Sequence, residues 1–356
     1  MIANQTAFDA IGWPPHLDIV QAMVPWPSGQ LARVVAQHRS GYEVAQNLET
    51  TFRVQAPATW LRPRTDPMLR AAVGDWVVLD ALCKHILDIL PRYSLLKRAA
   101  AGEHYQQQLI AANINSVLLV SGMDDDFNAK RIERYLLLIN SSGAKPILVL
   151  TKLDLCDDPS KYVNQLHELV ELNIPIFTLN AKNAEQVSVL HPFLSAGKSA
   201  VLVGSSGAGK STLTNTLLGE QRMKTAAVRE TDAKGRHTTT YRALIALPQG
   251  GCLIDTPGMR ELKLSGDERF DDGLFAEIDE LAAQCRFNDC SHGNEPGCAV
   301  QAAISAEKLT LQRYMHYCKL KDERDSAAQT LADRRAQDSL KSSKFVKRNK
   351  DKYDRK

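Results

Sequence analysis

Residues 204–212 read GSSGAGKST and follow directly on the apolar run SAVLV at 199–203. A strand that ends in Gly-x4-Gly-Lys-Ser and opens a helix is a phosphate cradle. Its glycines let backbone N–H groups face an anion, at the positive end of the helix that follows. The predicted loop is Gly204, Ser205, Ser206, Gly207, Ala208 and Gly209. Lys210 is placed to neutralise terminal phosphates, and Ser211, followed by Thr212, to ligate Mg²⁺ through its hydroxyl. The full spacing in a strand–loop–helix context argues against a chance glycine turn and for an α/β sheet with the ligand at one edge.

The sequence on either side identifies the nucleotide. Downstream, the strand GCLID ends in Asp255-Thr256-Pro257-Gly258. Alone this is a plausible β-turn. After a phosphate loop it reads as the switch: Asp255 reaches Mg²⁺ through water and the Gly258 N–H senses the terminal phosphate. Upstream, the strand PILVLTKLD at 146–154 ends in Thr151, Lys152 and Asp154, and the next strand, IPIFTLN, runs into Asn180, Ala181 and Lys182. A carboxylate at Asp154 accepts from guanine N1–H and the 2-amino group together. Adenine offers it a lone pair instead, and a buried unpaired group is heavily penalised. The Lys152 stem covers a ring face. The base reader thus precedes the phosphate loop in the chain, the reverse of the usual order.

The pattern between these motifs alternates. SVLLVSG, PILVLT, IPIFTLN and SAVLVG are continuous apolar strands, separated by FNAKRIERYLLLINSSG and by helical stretches at 159–172 and 183–197. Such spacing predicts a mostly parallel sheet covered on both faces. Residues 1–29 carry four prolines and read as irregular, with at most one short helix. Residues 30–108 hold several short β-rich runs and predict a small barrel. Its arginines (Arg33, Arg53, Arg62, Arg64, Arg92, Arg98), Lys97 and aromatics (Tyr42, Trp60, Trp76, Tyr93) could form a nucleic-acid face, or Trp60 and Trp76 could be core. From about Phe270 the chain turns helical around Cys285-x4-Cys290-x-His292-x5-Cys298, three thiolates and an imidazole that suit one closed structural zinc site. A redox pair or buried thiols are the alternatives. The other cysteines are scattered, which suits a reducing compartment.

The chain has 356 residues, 44% apolar, with a net charge of +3. Residues 339–356 hold eight Lys/Arg against two Asp, a net +6, so the rest sums to −3. The tail is either polyanion-seeking or simply solubilising. No run reaches the ~18 apolar residues of a membrane span, and the N-terminus lacks the pattern of a secretory signal. The expectation is a cytoplasmic chain with no membrane association.

Together the base-reading pair, the later phosphate loop, GRHTTT at 235–240, DTPG, VGDWV, DFNAKRIERYL and the cysteine cluster resemble the circularly permuted, ribosome small-subunit-dependent GTPases of the RsgA or YjeQ family, over roughly residues 30–320. The departures are Thr151 for Asn and Asn180 for Ser. The resemblance implies an OB-type barrel at 30–108, a permuted GTPase domain at 109–268, a helical zinc domain at 269–335 and a basic tail at 336–356. It implies a GTP hydrolase that acts late in assembly of the 30S subunit, touches 16S rRNA, works as a monomer and is stimulated by the subunit. Met259 follows DTPG where Ras-type enzymes have Gln, and a thioether cannot orient water; the resemblance gives that role to His237. Thr239 or Thr240 completes the Mg²⁺ shell. In this order the switch leads straight into the C-terminal module, so its movement can pull on that module; the alternative is that the permutation is topologically neutral, since a fold tolerates new termini at exposed sites. The rival readings are an RNA-binding scaffold with structural GTP and an ATP-dependent enzyme using the same phosphate loop.

Overall fold

The computed structural model describes the chain apart from residues 1, 15–17, 19–22, 24, 39–40, 63–64, 100–106, 167–168, 170–171, 221–241, 257–262, 271–272, 294 and 354–356. Two compact units emerge. The first comprises residues 1–97 and 109–262, and the second 98–108 and 263–356.

In the first unit, α1 (Ile2–Ala10) precedes five short strands: β1 (Gln30–His38), β2 (Gly41–Ala45), β3 (Thr51–Val54), β4 (Trp76–Leu79) and β5 (Ile86–Ile89). β1 pairs antiparallel with both β2 and β4, β2 with β3, and β4 with β5. A bridge between Gln55 and His85 joins the end of β3 to the start of β5, so the five strands close on themselves. Val34, Val44, Val54, Trp60, Val77 and Leu79 fill the interior. Phe8, Ile11 and Trp13 pack with Leu31, Val35 and Trp76 on the outer face. The extension read as irregular therefore contributes α1 and three large side chains to a core.

Trp60, Trp76 and Tyr42 are all buried, so their rings belong to cores and not to a nucleic-acid face. Arg33, counted among the exposed cations, is fully buried. Its guanidinium donates to Gly74 O at 3.2 Å, Asn113 O at 3.1 Å, Ser199 Oγ at 2.8 Å and Ile11 O. Arg92 is also spent internally, on Asp75 at 2.7 Å.

β6 (Leu95–Ala99) and β7 (Gln107–Ala112) form a hairpin. The α/β part follows with β8 (Ser116–Gly122), α2 (Ala129–Asn140), β9 (Lys145–Thr151), α3 (Ser160–Asn164), β10 (Ile176–Thr178), α4 (Ala184–Val187), β11 (Ser199–Gly204), α5 (Lys210–Leu218), β12 (Ala243–Ala246) and β13 (Cys252–Asp255). Asn128 caps α2 by accepting from Arg131 N at 3.0 Å, and Ile132, Leu136 and Ile139 bury its inner face. The helix expected over 183–197 stops at Val187 and continues as a 3₁₀ turn to Phe193, because Pro192 cannot donate to an α-helical ladder.

Spatially the sheet runs β10-β9-β8-β11-β13-β12-β1-β2-β3. From β10 to β13 all pairings are parallel. β12 is antiparallel to both β13 and β1, with Ala36 opposite Ala243. The strand just before DTPG thus fuses, through β12, the closed β-structure to the parallel sheet.

The second unit holds α6 (Ala276–Ala282), α7 (Ala299–Ser305) and α8 (Leu311–Tyr353). Phe270, Phe275 and Tyr317 pack against one another, and the Arg313 guanidinium lies 4.3 Å from the Phe275 ring. The basic stretch read as a tail continues α8 up to Tyr353. Cys318 of α8 is half-buried.

Candidate functional site

All four sheet-borne motifs leave the carboxyl edge of one parallel sheet, from β10, β9, β11 and β13, where α/β sheets bind ligands. The phosphate loop leaves β11 at the centre. Gly204 has φ +141°, and a Cβ there would sit 2.1 Å from Val120 O. Gly209 has φ +91° and heads α5, and a Cβ at Gly207 would meet open space. Lys210 Nζ donates to Gly204 O at 2.8 Å and to Ser205 O, which aims the ammonium into the loop. Ser206 is exposed, while Ser211 and Thr212 are half-buried in the first turn of α5.

Asp255 ends β13. Burial pushes its carboxyl above the usual range, partly offset by the Thr256 N–H and by facing Lys210. A carboxyl held this way suits a cation. Ser211, Lys210 and Asp255 therefore fit Mg²⁺ and a phosphate chain. His237, Thr239, Thr240, Gly258 and Met259 lie outside the described residues.

The base-reading loop leaves β9. Lys152 takes a left-handed conformation, φ +66°, costly for a residue with a side chain, and it opens the turn carrying Asp154. Its ammonium pairs with Asp124 from the loop after β8. Lys182 Nζ reaches Asp154 at 3.3 Å. In the neighbouring loop Asn180 N donates to Gln186 Oε1 at 2.7 Å, and Asn180 Oδ1 accepts from Lys182 N at 2.9 Å. Thr216 of α5 donates to Ala181 O at 2.6 Å.

Thr151 is fully buried, and its hydroxyl lies 2.6 Å from Ala208 O of the phosphate loop and 3.3 Å from Ser121 O. Base reader and phosphate loop are therefore hydrogen-bonded directly, 57 residues apart in the chain. Sequence reasoning missed a second tie. Ser205 Oγ donates to Asp126 at 2.7 Å, and Asp126 is bridged by Arg131 at 2.8 Å. The Ser205 hydrogen bond, then Arg131, holds the Asp126 carboxyl below its ordinary range. The signal was present in Asp124-Asp125-Asp126, an acidic run at the end of an apolar strand.

In the second unit, the ligand atoms of Cys285, Cys290, His292 and Cys298 all lie within 4.8 Å of one another. Cys285 Sγ is 3.5 Å and Cys298 Sγ 3.6 Å from His292 Nδ1, and the two sulfurs are 3.9 Å apart. Tetrahedral zinc with Zn–S of ~2.3 Å and Zn–N of ~2.0 Å requires edges of about 3.5 to 3.8 Å, so the edges among Cys285, Cys298 and His292 fit, and Cys290 stands within 4.8 Å as the fourth donor. The cluster is fixed locally. Gln301 Nε2 donates to His292 O at 2.6 Å, and Cys298 caps α7.

The comparisons agree with this architecture. The RsgA GTPase family model matches residues 89–265. An ABC transporter model matches 189–342, a span that shares the strand, phosphate loop and helix common to many nucleotide binders. The chain is 54% identical over 341 residues to the small ribosomal subunit biogenesis GTPase RsgA of Xanthomonas campestris pv. campestris (strain 8004), covering 94% of this chain and 93% of that one. The same-named protein of Xanthomonas oryzae pv. oryzae (strain PXO99A) is 53% identical over 335 residues, covering 93% and 92%. Among solved structures, YjeQ from Thermotoga maritima matches with a TM-score of 0.57 and 26% identity over 83% of this chain and 98% of that chain. YloQ, a circularly permuted GTPase, gives 0.55 and 21% over 83% and 96%, a likeness of fold. The chain belongs to the RsgA GTPase family.

Proposed function

We propose that this chain is a GTP hydrolase that acts on the small (30S) ribosomal subunit during its late assembly, with turnover raised by the subunit. The observation that carries the reading is the Thr151–Ala208 hydrogen bond at the carboxyl edge of the sheet, which makes base loop and phosphate loop one binding surface. The names and coverage of the relatives supply the biological setting. The phosphate loop with Lys210 takes the phosphates, and Ser211 and Asp255 hold Mg²⁺, which neutralises charge on the phosphates when bound. Asp154 reads guanine N1–H and the 2-amino group, and the Ala181 N–H meets O6. His237 orients the attacking water, and Thr239 or Thr240 with Gly258 completes the switch. Cys285, Cys290, His292 and Cys298 hold one zinc, which ties α6 to α7.

Residues 30–108 correspond to an OB-type barrel, 109–268 to the permuted GTPase domain, 269–335 to the zinc domain, and 1–29 and 336–356 to the flanking segments. The closed five-strand pairing supports the barrel reading. The partner is the 30S subunit through 16S rRNA, and the lysine-rich end of α8 suits that polyanion. The protein works as a monomer in the cytoplasm; among the described residues no helix is long and apolar enough to cross a membrane. Competition of GTP, ATP and XTP in wild type and Asp154→Asn tests the base reading. Wild type should select GTP. The variant should shift toward XTP, whose 2-oxo group accepts from an amide. Unchanged GTP selectivity in the variant removes Asp154 from the base site.

A further inference from the structure

The guanine edge carries two acceptors, O6 and N7, side by side. Resting on the guanine reading above, we propose that this site reads O6 and leaves N7 unread, so that selection rests on the Watson–Crick edge alone. The argument is a count of hydrogens. Thr151 stands at the end of β9, fully buried, and its hydroxyl has one hydrogen to give. Both oxygens near that hydroxyl are backbone carbonyls, Ala208 O at 2.6 Å and Ser121 O at 3.3 Å. A carbonyl only accepts, so the single hydrogen goes to one of them, and the shorter contact is with the phosphate loop. Turning it outward would break the Ala208 bond in a site sealed from water. Gly209 presses on the same point, since a Cβ there would come within 3.2 Å of Thr151 Oγ1.

The neighbouring loop does not make up the deficit. The Asn180 N–H goes to Gln186 Oε1, the Lys182 N–H to Asn180 Oδ1 at 2.9 Å, and the Asn183 N–H to Asn180 O at 3.0 Å. Of the backbone N–H groups at 180–183, only that of Ala181 has no acceptor among the described residues, and one N–H serves one carbonyl, O6. An Asn at 151 would bring two amide hydrogens, enough for Ala208 O and for N7 together. Thr keeps the tie to the phosphate loop and gives up the second contact. The nucleotides accepted are therefore those with N1–H, a 2-amino group and a 6-oxo group, whatever atom stands at position 7.

The test is competition of GTP, 7-deaza-GTP and ATP against a fluorescent GDP on full-length wild type, Thr151→Asn and Thr151→Val. Wild type should bind 7-deaza-GTP within about twofold of GTP. Thr151→Asn should open a gap of about three- to tenfold in favour of GTP, the value of one net hydrogen bond. Thr151→Val should weaken both by a similar factor and keep their ratio near one, because it releases the phosphate loop and touches no base atom. Wild type that rejects 7-deaza-GTP more than threefold overturns the proposal, even if Thr151→Asn fails to fold. So does a folded Thr151→Asn with no gap, or a Thr151→Val that binds like wild type. Equal binding of ATP and GTP is a separate outcome, since it removes the guanine reading itself.

Discussion

Arg33→Met is the most informative stability experiment. Arg33 belongs to β1, yet its four acceptors lie in four other places: Ile11 after α1, Gly74 before β4, Asn113 after β7, and Ser199 at the start of β11. Its charge also faces the Trp76 ring at 5.2 Å. Met fills much of the volume and removes every donor. Gly74 O keeps Asn113 Nδ2 at 3.3 Å, and Asn113 O keeps Tyr93 OH at 2.6 Å. Ile11 O and Ser199 Oγ lose the partner they have here. Two orphaned buried groups cost about 1–3 kcal/mol each. Burial lowers the Arg33 pKa, so removing the charge also relieves a desolvation cost, and the net lies toward the lower half of that range. A loss of about 3 kcal/mol should lower Tm by about 6–12 °C in a unit of this size. All four tryptophans, at 13, 26, 60 and 76, lie in the first unit, so tryptophan fluorescence follows that unit alone. A thermal midpoint within about 1 °C of wild type would mean that Arg33 does not tie β1 to β11 and the N-terminal segment.

Other consequences are equally concrete. Cys298→Ala should lower zinc from one per chain to well under one by elemental analysis and loosen the helical unit by circular dichroism, while tryptophan fluorescence and GTP binding stay as in wild type, because a structural zinc contributes directly to the folding of its own unit. Asp255 holds its proton more tightly in the fold than in the unfolded chain, so its contribution to stability grows as pH falls through the folded pKa. Mg²⁺ needs the ionised form, so Mg²⁺-dependent GTP affinity should weaken on acidification at a pH above the ordinary Asp range, and titration of Asp255→Asn should abolish that dependence. His237→Ala should keep GTP and 30S binding and lose about 10² to 10⁴ in subunit-stimulated single-turnover rate. Full stimulation in that variant removes His237 from catalysis, and loss of 30S binding assigns it to RNA contact.

What the sequence could reveal depended on the range over which each feature is determined. The phosphate loop and zinc set are local, so spacing exposed them, and the proximity of Cys285, Cys290, His292 and Cys298 followed from a short loop between helices. Thr151 read as a departure from the base-reading pattern, but its partner Ala208 sits in a loop that only the parallel pairing of β8, β9 and β11 brings beside it. The same holds for Asp126 and Ser205. Arg33 was misplaced because an arginine in a β-rich run is ordinarily exposed. Only the convergence of the segment after α1, two turns and the start of β11 gives it enough acceptors, three carbonyls and the Ser199 hydroxyl, to be buried. The aromatic residues of the barrel followed the general rule that large rings are buried. The run YRALIAL reads as a strand and holds β12, but its antiparallel direction was not legible, because an apolar run does not disclose its direction.

The measurement that tests the central claim most directly is multiple-turnover hydrolysis of GTP and ATP by the wild-type chain, with and without purified 30S subunits. The account predicts slow GTP hydrolysis by the chain alone, a rise of at least tenfold with the subunit, and no comparable turnover of ATP. Equal use of ATP, or GTP turnover that the 30S subunit leaves unchanged, contradicts it.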